Sequence, residues 1–332
     1  MFEAMETGIY LLTQTHVGTG QAAGAVDLPI AREAHTGFPY LPATALKGVA
    51  RDDFESVHGE KKTSALFGPP PPQPQQDPGE KLYPGKMVIT DGHLLAFPIR
   101  SLTAPFLWIT SPLIIERWRR LRAAWGLQAP TFAPIEAPAA TFRQDAPLVL
   151  QDHLVDSDQV AWNHPDLEAV AAAWLRLIGL PSCRQDASRP GAPPEFPGGP
   201  SHGESLARQF MSRLVCLPDE DFSYLVQTAT PVSARVQLTP GKTTDRWKDP
   251  DSGVEYRGNL WYEETLPSEC LFSAVIVSRV KGEKAFGDLR QHFDSGRVVQ
   301  VGGNETVGQG LCWWVRECPA GGSSSEIGGG KR

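Results

Sequence analysis

Residues 16–51 hold the densest group of side chains able to do phosphate chemistry. His16 opens a glycine-containing run, HVGTG, just after an apolar segment of strand length. Asp27 stands in VDLPIARE, where Pro29 biases Leu28 toward extended backbone. Lys47 and Arg51 lie four apart in PATALKGVAR, so a helix there carries both on one face. A glycine turn lets backbone N–H groups approach an anion, and two cations near a helix start add to its dipole. Together they could hold a phosphate chain. Asp27, if the fold brings it within reach of His16, could bind a divalent ion or take a proton. Each has an ordinary alternative: a solvated helix face for Lys47 and Arg51, and a turn residue for Asp27. Spacing alone leaves both open.

The elements that must position these groups alternate between strand and helix patterns. Residues 7–14 predict a strand. Thr44 predicts an N-cap, with Leu46, Val49, Ala50, Phe54 and Val57 following at helical spacing. Residues 87–97 predict two strands around a turn at Asp91-Gly92. Helices are predicted at 113–125, 166–178 and 204–215, with a short one after Asp219. Residues 270–280 predict a strand and 283–294 a helix with Ala285, Leu289 and Phe293 on one side. Short β-rich runs follow at 297–301 and 310–315, around the glycine loop GGNETVGQG. A strand–helix–strand unit near each end implies one split α+β sheet of ferredoxin-like type, with the middle as inserted material.

Composition bounds the function. The chain has 332 residues and a net charge of −7, a balance that argues against a general nucleic-acid surface without speaking to any one groove. Much of the excess Gly (32) and Pro (30) lies in Pro-rich loops at 68–81 and 184–204 and in a flexible tail at 319–332, none of which can bury a core. Five cysteines without C-x-x-C spacing indicate neither a disulfide framework nor a zinc ribbon. The first fourteen residues lack a basic segment followed by an apolar run, and no stretch nears the ~18 residues of a membrane helix. The expectation is a reduced, cytoplasmic protein with no membrane partner.

Several motifs are decoys. Gly199-Pro200-Ser201-His202-Gly203 satisfies G-x-S-x-G, but a Pro/Gly-rich stretch precedes it where a nucleophile elbow needs a strand. Asn304-Glu305-Thr306 is a formal glycosylation sequon. The 302–310 loop has neither a Walker ending nor G-x-G-x-x-G spacing, and its ordinary reading is a tight turn. The acidic run Asp219-Glu220-Asp221 suits a helix start better than a metal.

HVGTG from His16, DLPIARE from Asp27, TGFP from Thr36 and LKGVAR from Leu46 resemble, in that order, the RAMP (repeat-associated mysterious protein) superfamily of CRISPR effector proteins. LWYEETLP from Leu260, ECLF from Glu269 and VGGNETVGQG from Val301 narrow the resemblance to the Cmr-type backbone subunit of type III-B complexes. The resemblance runs from about residue 7 to residue 316 and implies a single ferredoxin-like (RRM-like) palm over 1–318. Its core would be residues 7–57, 87–110 and 268–316, with a helical insertion at 111–230 and a β-hairpin thumb at 236–262.

It further implies copies stacked as a filament on the guide part of a crRNA, beside other type III-B subunits. Target RNA would be cut at regular intervals beside each thumb. The resemblance places the cleaving aspartate at Asp27, the loop histidine at His16, the helix lysine at Lys47 and an acidic residue at Glu263 or Glu264, with Glu264 the choice. RNA contacts are expected from Lys47, Arg51, Arg235, Lys242, Arg246 and Trp247, and from the loop glycines Gly302, Gly303, Gly308 and Gly310. Mg²⁺ or another divalent cation is the expected cofactor, with Asp27 as its ligand.

The residues allow this chemistry, because RNA supplies its own 2′-OH nucleophile and needs in-line geometry, proton transfer and charge neutralisation. Lys248 and Arg257 add cations to the thumb, where Trp247 could stack on a base or be an ordinary hairpin aromatic. Arg117, Arg119, Arg120 and Arg122 could face RNA or a neighbouring subunit. One departure from the family is Pro42-Ala43-Thr44-Ala45 in place of a Ser-rich run before Leu-Lys-Gly. Two rivals to the target nuclease remain: an inactive guide-binding filament subunit, and a metal-independent, His-based processing nuclease.

Overall fold

Continuous or alternating apolar runs become the strands of the computed structural model, which describes residues 3–20, 24–70, 83–180, 196–282 and 284–317. In chain order the elements begin with β1 (Ala4–Leu11), β2 (Tyr40–Leu41), α1 (Ala43–His58), α2 (Glu60–Phe67), β3 (Met87–Ile89), β4 (Gly92–Arg100) and β5 (Phe106–Thr110). The inserted region holds α3 (Pro112–Ala124), β6 (Ala139–Ala140), β7 (Leu148–Leu150), β8 (His153–Val155), α4 (Pro165–Leu177), α5 (Pro200–Met211), β9 (Leu214–Cys216) and α6 (Asp219–Thr228). The chain then runs through β10 (Val232–Gln237), β11 (Arg246–Lys248), β12 (Glu255–Arg257), β13 (Asn259–Glu264), β14 (Leu271–Ser278), α7 (Lys284–Asp294), β15 (Arg297–Gln300) and β16 (Leu311–Arg316).

The main sheet runs β15-β16-β1-β14-β4-β5-β9-β6. Within it β16-β1-β14-β4, with α1 between β1 and β4 in sequence and α7 between β14 and β16, is the ferredoxin-like arrangement expected. Every residue of β14 is buried, as a strand with neighbours on both sides and layers on both faces requires. Leu46, Ala50 and Phe54 of α1 enter the core with Phe286, Leu289 and Phe293 of α7. Asp53 of α1 accepts from His292 of α7 and, bidentately, from Arg297 of β15, which pins this helix layer to the sheet edge.

Two local expectations change. Thr44 is not the cap of α1, which starts at Ala43. The Ala43 N–H donates to Asp91 Oδ1 at 2.7 Å, so the cap comes from the turn before β4. The two strands expected around that turn are β3 and β4, and both pair with β14. The second Pro-rich loop stops early, because Pro200 opens α5 and puts Ser201 in a helical first turn, with no strand in the described residues 196–199 before it. Residues 71–82, 181–195 and 318–332, with Cys183, Cys318 and the tail, lie outside the described residues. Among those described, no helix is long and apolar enough to cross a membrane.

Glu269, between β13 and β14, is held in the left-handed region at φ 74° by its own backbone bonds. Its N–H donates to Leu11 and its carbonyl accepts from the Trp108 indole. Burial pushes its carboxyl, which accepts from the Tyr10 hydroxyl, up to about 7. The folded state therefore holds this proton better than the unfolded chain, so the group's contribution to stability falls as pH rises from about 4.5 to about 7. Glu269→Gln keeps an acceptor for Tyr10 without the charge. Denaturant unfolding should find it equal to wild type at pH 4 and more stable by about 2 kcal/mol at pH 8.

Candidate active site at the root of the arm

Asp27 is placed by borrowing a strand. Segment 27–30 runs alongside β13, with Leu28 in a parallel bridge to Glu263. Leu28 N–H donates to the Tyr262 carbonyl at 3.1 Å, and Glu264 N–H donates to the Leu28 carbonyl at 3.0 Å. Tyr262 N–H donates to Asp27 Oδ2 at 2.7 Å. Pro29 removes a donor at the position where the segment turns away, consistent with the extended geometry it imposes on Leu28. Asp27 is exposed, and its other oxygen has no bonded partner among the described residues.

Arg32 and Glu33, just beyond residues 27–30, lock this segment from two sides. Arg32 donates to the carbonyls of Gly37 and Val226, to Thr230 Oγ1 and, at 2.6 Å, to Glu264 Oε1. Glu33 receives both terminal nitrogens of Arg117 from α3, and Arg117 also donates to His93 Nδ1. Burial alone would push the Glu33 carboxyl up, but the His93, Arg117 and Thr36 bonds hold it well below the usual carboxylate range. Arg117 therefore braces the site from within, Arg119 pairs with Glu116, and Arg122 is buried against Glu6. Only Arg120 of that basic helix is exposed without a described partner.

Adjacent strand residues face opposite sides, which separates the two glutamates. Glu264 turns to Arg32: its carboxylate also accepts from Thr230 Oγ1 at 2.6 Å and from Ile30 N–H at 3.1 Å. Burial pushes this carboxyl up, but the Thr230, Arg32 and Ile30 bonds outweigh it and hold it below its ordinary value. Glu263 turns the other way and meets His16, its Oε1 lying 3.7 Å from His16 Nδ1. The same carboxylate accepts from Asn304 of the glycine loop and from Arg235 Nε at 3.2 Å. The glutamate carboxylate beside the histidine is thus Glu263, while Glu264 contributes its backbone: His16 Nδ1 lies 2.7 Å from the Glu264 carbonyl. A carbonyl only accepts, so Nδ1 carries a hydrogen, and Nε2 is the ring position left to exchange a proton. Nε2 lies against Gly18, where a Cβ would come within 2.6 Å of it.

The 302–310 loop braces the strand exit rather than cradling an anion. Gly303 N–H donates to the His16 carbonyl, Gly308 N–H to Glu305 and Gly310 N–H to Gln14. Those three N–H groups, expected for RNA, are therefore engaged within the fold. Gly302, at φ +89°, is needed for contact: a Cβ there would sit 2.2 Å from the His16 carbonyl oxygen. Arg51 departs from expectation for the same reason, since its guanidinium donates to the Gly68 carbonyl and pairs with Glu55. Lys47 is half-buried and has no bonded partner among the described residues.

The expected hairpin projects from this site as an arm. β10 pairs with β13, and β11 with β12 forms its tip. Ala234, Val236, Leu260 and Tyr262 make one exposed apolar side, while Arg235, Trp261 and Glu263 share the other. Lys242 and Arg246 are exposed at the tip, Arg246 lying 3.5 Å from Glu255. Trp247 is half-buried within the tip, 5.7 Å from Tyr256, with its indole against Gly241. It packs the tip, and the exposed ring nearest Asp27 in sequence pairing is Tyr262, which motif reading passes over. Motif reading also passes over Arg32, Thr230 and Asn304, whose partners Glu264 and Glu263 lie 232, 34 and 41 residues away in the chain.

No group of three or more His, Cys, Asp or Glu among the described residues is arranged to hold a metal. Both oxygens of Glu263 and of Glu264 already accept hydrogen bonds, so Asp27 is the one carboxylate here with an unbonded oxygen. This donor set fits a cation carried largely by phosphate and water, as Mg²⁺ commonly is, rather than a resident ion in a protein cage.

The sequence pattern of the RAMP superfamily matches residues 9–313. The CRISPR system Cmr endoribonuclease Cmr4 of Pyrococcus furiosus is 28% identical over 321 residues, covering 93% of this chain and 94% of the relative. The fold is similar to the crystal structure of oligomeric Cmr4 from the same organism, at TM-score 0.64 and 24% identity over 96% of this chain and 98% of the other. It is also similar to a chain in the cryo-EM structure of the type III-B Cmr-beta complex bound to cognate target RNA, at TM-score 0.63 and 18% identity over 95% and 97%.

The bracing role of the loop separates its glycines. Gly308, at φ +77°, has open space around it, so Gly308→Ala should cost about 1 kcal/mol, the conformational term alone. Gly302→Ala adds a backbone collision and should cost at least about 3 kcal/mol in denaturant unfolding. A loop that only bound phosphate would give the two variants equal stability.

Proposed function

The chain belongs to the RAMP superfamily, and on that premise we propose that it is a backbone subunit of a type III-B CRISPR effector complex in the cytoplasm. It binds the guide region of crRNA, stacks with further copies of itself and with the other subunits, and cuts complementary target RNA at regular intervals. The observation that carries the nuclease reading is Asp27: an exposed carboxylate with one oxygen fixed by the Tyr262 N–H and the other unbonded, at the root of a projecting arm.

In this reading the target strand passes the arm's root, where its distortion aligns a 2′-OH with the adjacent phosphorus. The O2′–P bond forms as the P–O5′ bond breaks, leaving a 2′,3′-cyclic phosphate and a 5′-OH. Asp27 takes the 2′-OH proton, and His16, protonated at Nε2 in this step, gives that proton to the leaving O5′ while its Nδ1–H stays on the Glu264 carbonyl. Lys47, half-buried and unpaired among the described residues, offsets charge on the phosphate. A divalent cation carried by phosphate and water beside Asp27 would supply further neutralisation of phosphate charge; held by the Asp27 carboxylate, it would do so in place of the carboxylate's taking the proton. Machinery this sparse suits slow cutting within an assembled ribonucleoprotein.

The test uses the complex assembled on crRNA with end-labelled complementary RNA. Wild type should give an evenly spaced ladder that EDTA abolishes and Mg²⁺ restores. Asp27→Ala should lower every cut at least about 100-fold while target binding stays within about twofold. Binding without any wild-type ladder would support the inactive filament subunit instead. Cutting that persists in EDTA would support His-based processing chemistry.

A further inference from the structure

Arg32 makes no bond to Asp27, yet it joins four of the segments that meet around it. Its guanidinium donates to four acceptors: Gly37 on its own loop, Val226 near the end of α6, Thr230 at the entry to β10, and Glu264 at the end of β13. Thr230 and Glu264 also bond each other at 2.6 Å. Glu264 in turn holds Ile30 N–H, three residues from Asp27. Both strands of the arm and the segment carrying Asp27 therefore end on one largely buried cation.

We propose that Arg32 is a positioning residue that fixes Asp27 relative to the arm and so selects which phosphodiester is cut. The inference rests on the nuclease reading above and adds the device that sets its precision. The two backbone bonds of Leu28, to Tyr262 and Glu264, align the two segments at one point, but they belong to a short, isolated bridge. The multiply bonded guanidinium supplies the lateral restraint. Lysine keeps the charge beside Glu264 but, as a compact ammonium, does not span acceptors on four elements. In-line attack is sensitive to displacements of about 1 Å, so loosening this joint should blur the cut before it disturbs RNA binding.

Arg32→Lys and Thr230→Val are compared with wild type in the assembled complex on end-labelled target, with Asp27→Ala as reference. Both variants should bind guide and target within about twofold of wild type, cut about tenfold more slowly, and spread each cut over neighbouring phosphodiesters. Hydrogen exchange at residues 26–33 should be faster in both, and unchanged in Asp27→Ala. Single-position cuts at the wild-type rate, or wild-type exchange at 26–33, overturn the proposal. A uniform loss of rate with sharp cuts also overturns it, since that is the signature of general destabilisation. If Asp27→Ala still cuts, the nuclease assignment fails, while the exchange comparison continues to decide whether Arg32 restrains the segment.

Discussion

The hydrogen bonds between residues 27–30 and residues 262–264 are the constraint on which the site depends. They make the returning strand of the arm the docking edge for the segment that carries Asp27. The same strand delivers the Glu263 carboxylate toward His16 and Asn304 on one side and the Glu264 carboxylate toward Arg32 on the other. One two-residue step in β13 thus divides two tasks, because neighbouring strand residues face opposite ways. The palm supplies rigidity behind this: β14 follows β13 into the buried centre of the sheet, and Leu266 pairs with Thr15 just before His16. A movement of the arm's root therefore reaches both candidate catalytic groups.

Charge is arranged by the same economy. A net −7 is compatible with RNA binding only if local cations are free, and many are not. Arg32, Arg51, Arg117, Arg122 and Arg297 all tie elements together inside the fold. The tip of the arm carries Lys242, Arg246, Lys248 and Arg257 against Asp245, Asp249, Asp251 and Glu255, and so has no formal excess. A neutral tip and an apolar arm side suit insertion among bases better than a long run of phosphate contacts. Lys47, half-buried and without a bonded partner among the described residues, is reached from fewer directions than the exposed cations of the tip.

Much of the architecture was legible because its signals are local. Helical spacing through Leu46, Ala50 and Phe54, and the uninterrupted apolar run of β14, needed no tertiary information. The motif around Asp27 likewise pointed to an extended segment through Pro29. What spacing could not convey was direction and partner. Glu263 and Glu264 are equivalent in a string of letters until the strand's faces are assigned. Arg51 looks like a free helix cation until Gly68 is folded against it, and the glycines at 302–310 look like a phosphate loop until the neighbouring backbone is present. The cap of α1 was misassigned for the same reason: Asp91 reaches Ala43 across 48 residues of sequence.

Because each chain is held to bring its own Asp27 to its own arm, every copy in an assembly should cut independently. Complexes assembled from mixtures of wild-type and Asp27→Asn chains at known ratios measure this directly on end-labelled target RNA. The account predicts that the yield at every rung falls in proportion to the wild-type fraction, with the rungs unmoved. Yields that stay constant as wild-type chains are replaced would contradict the assignment of cutting to Asp27.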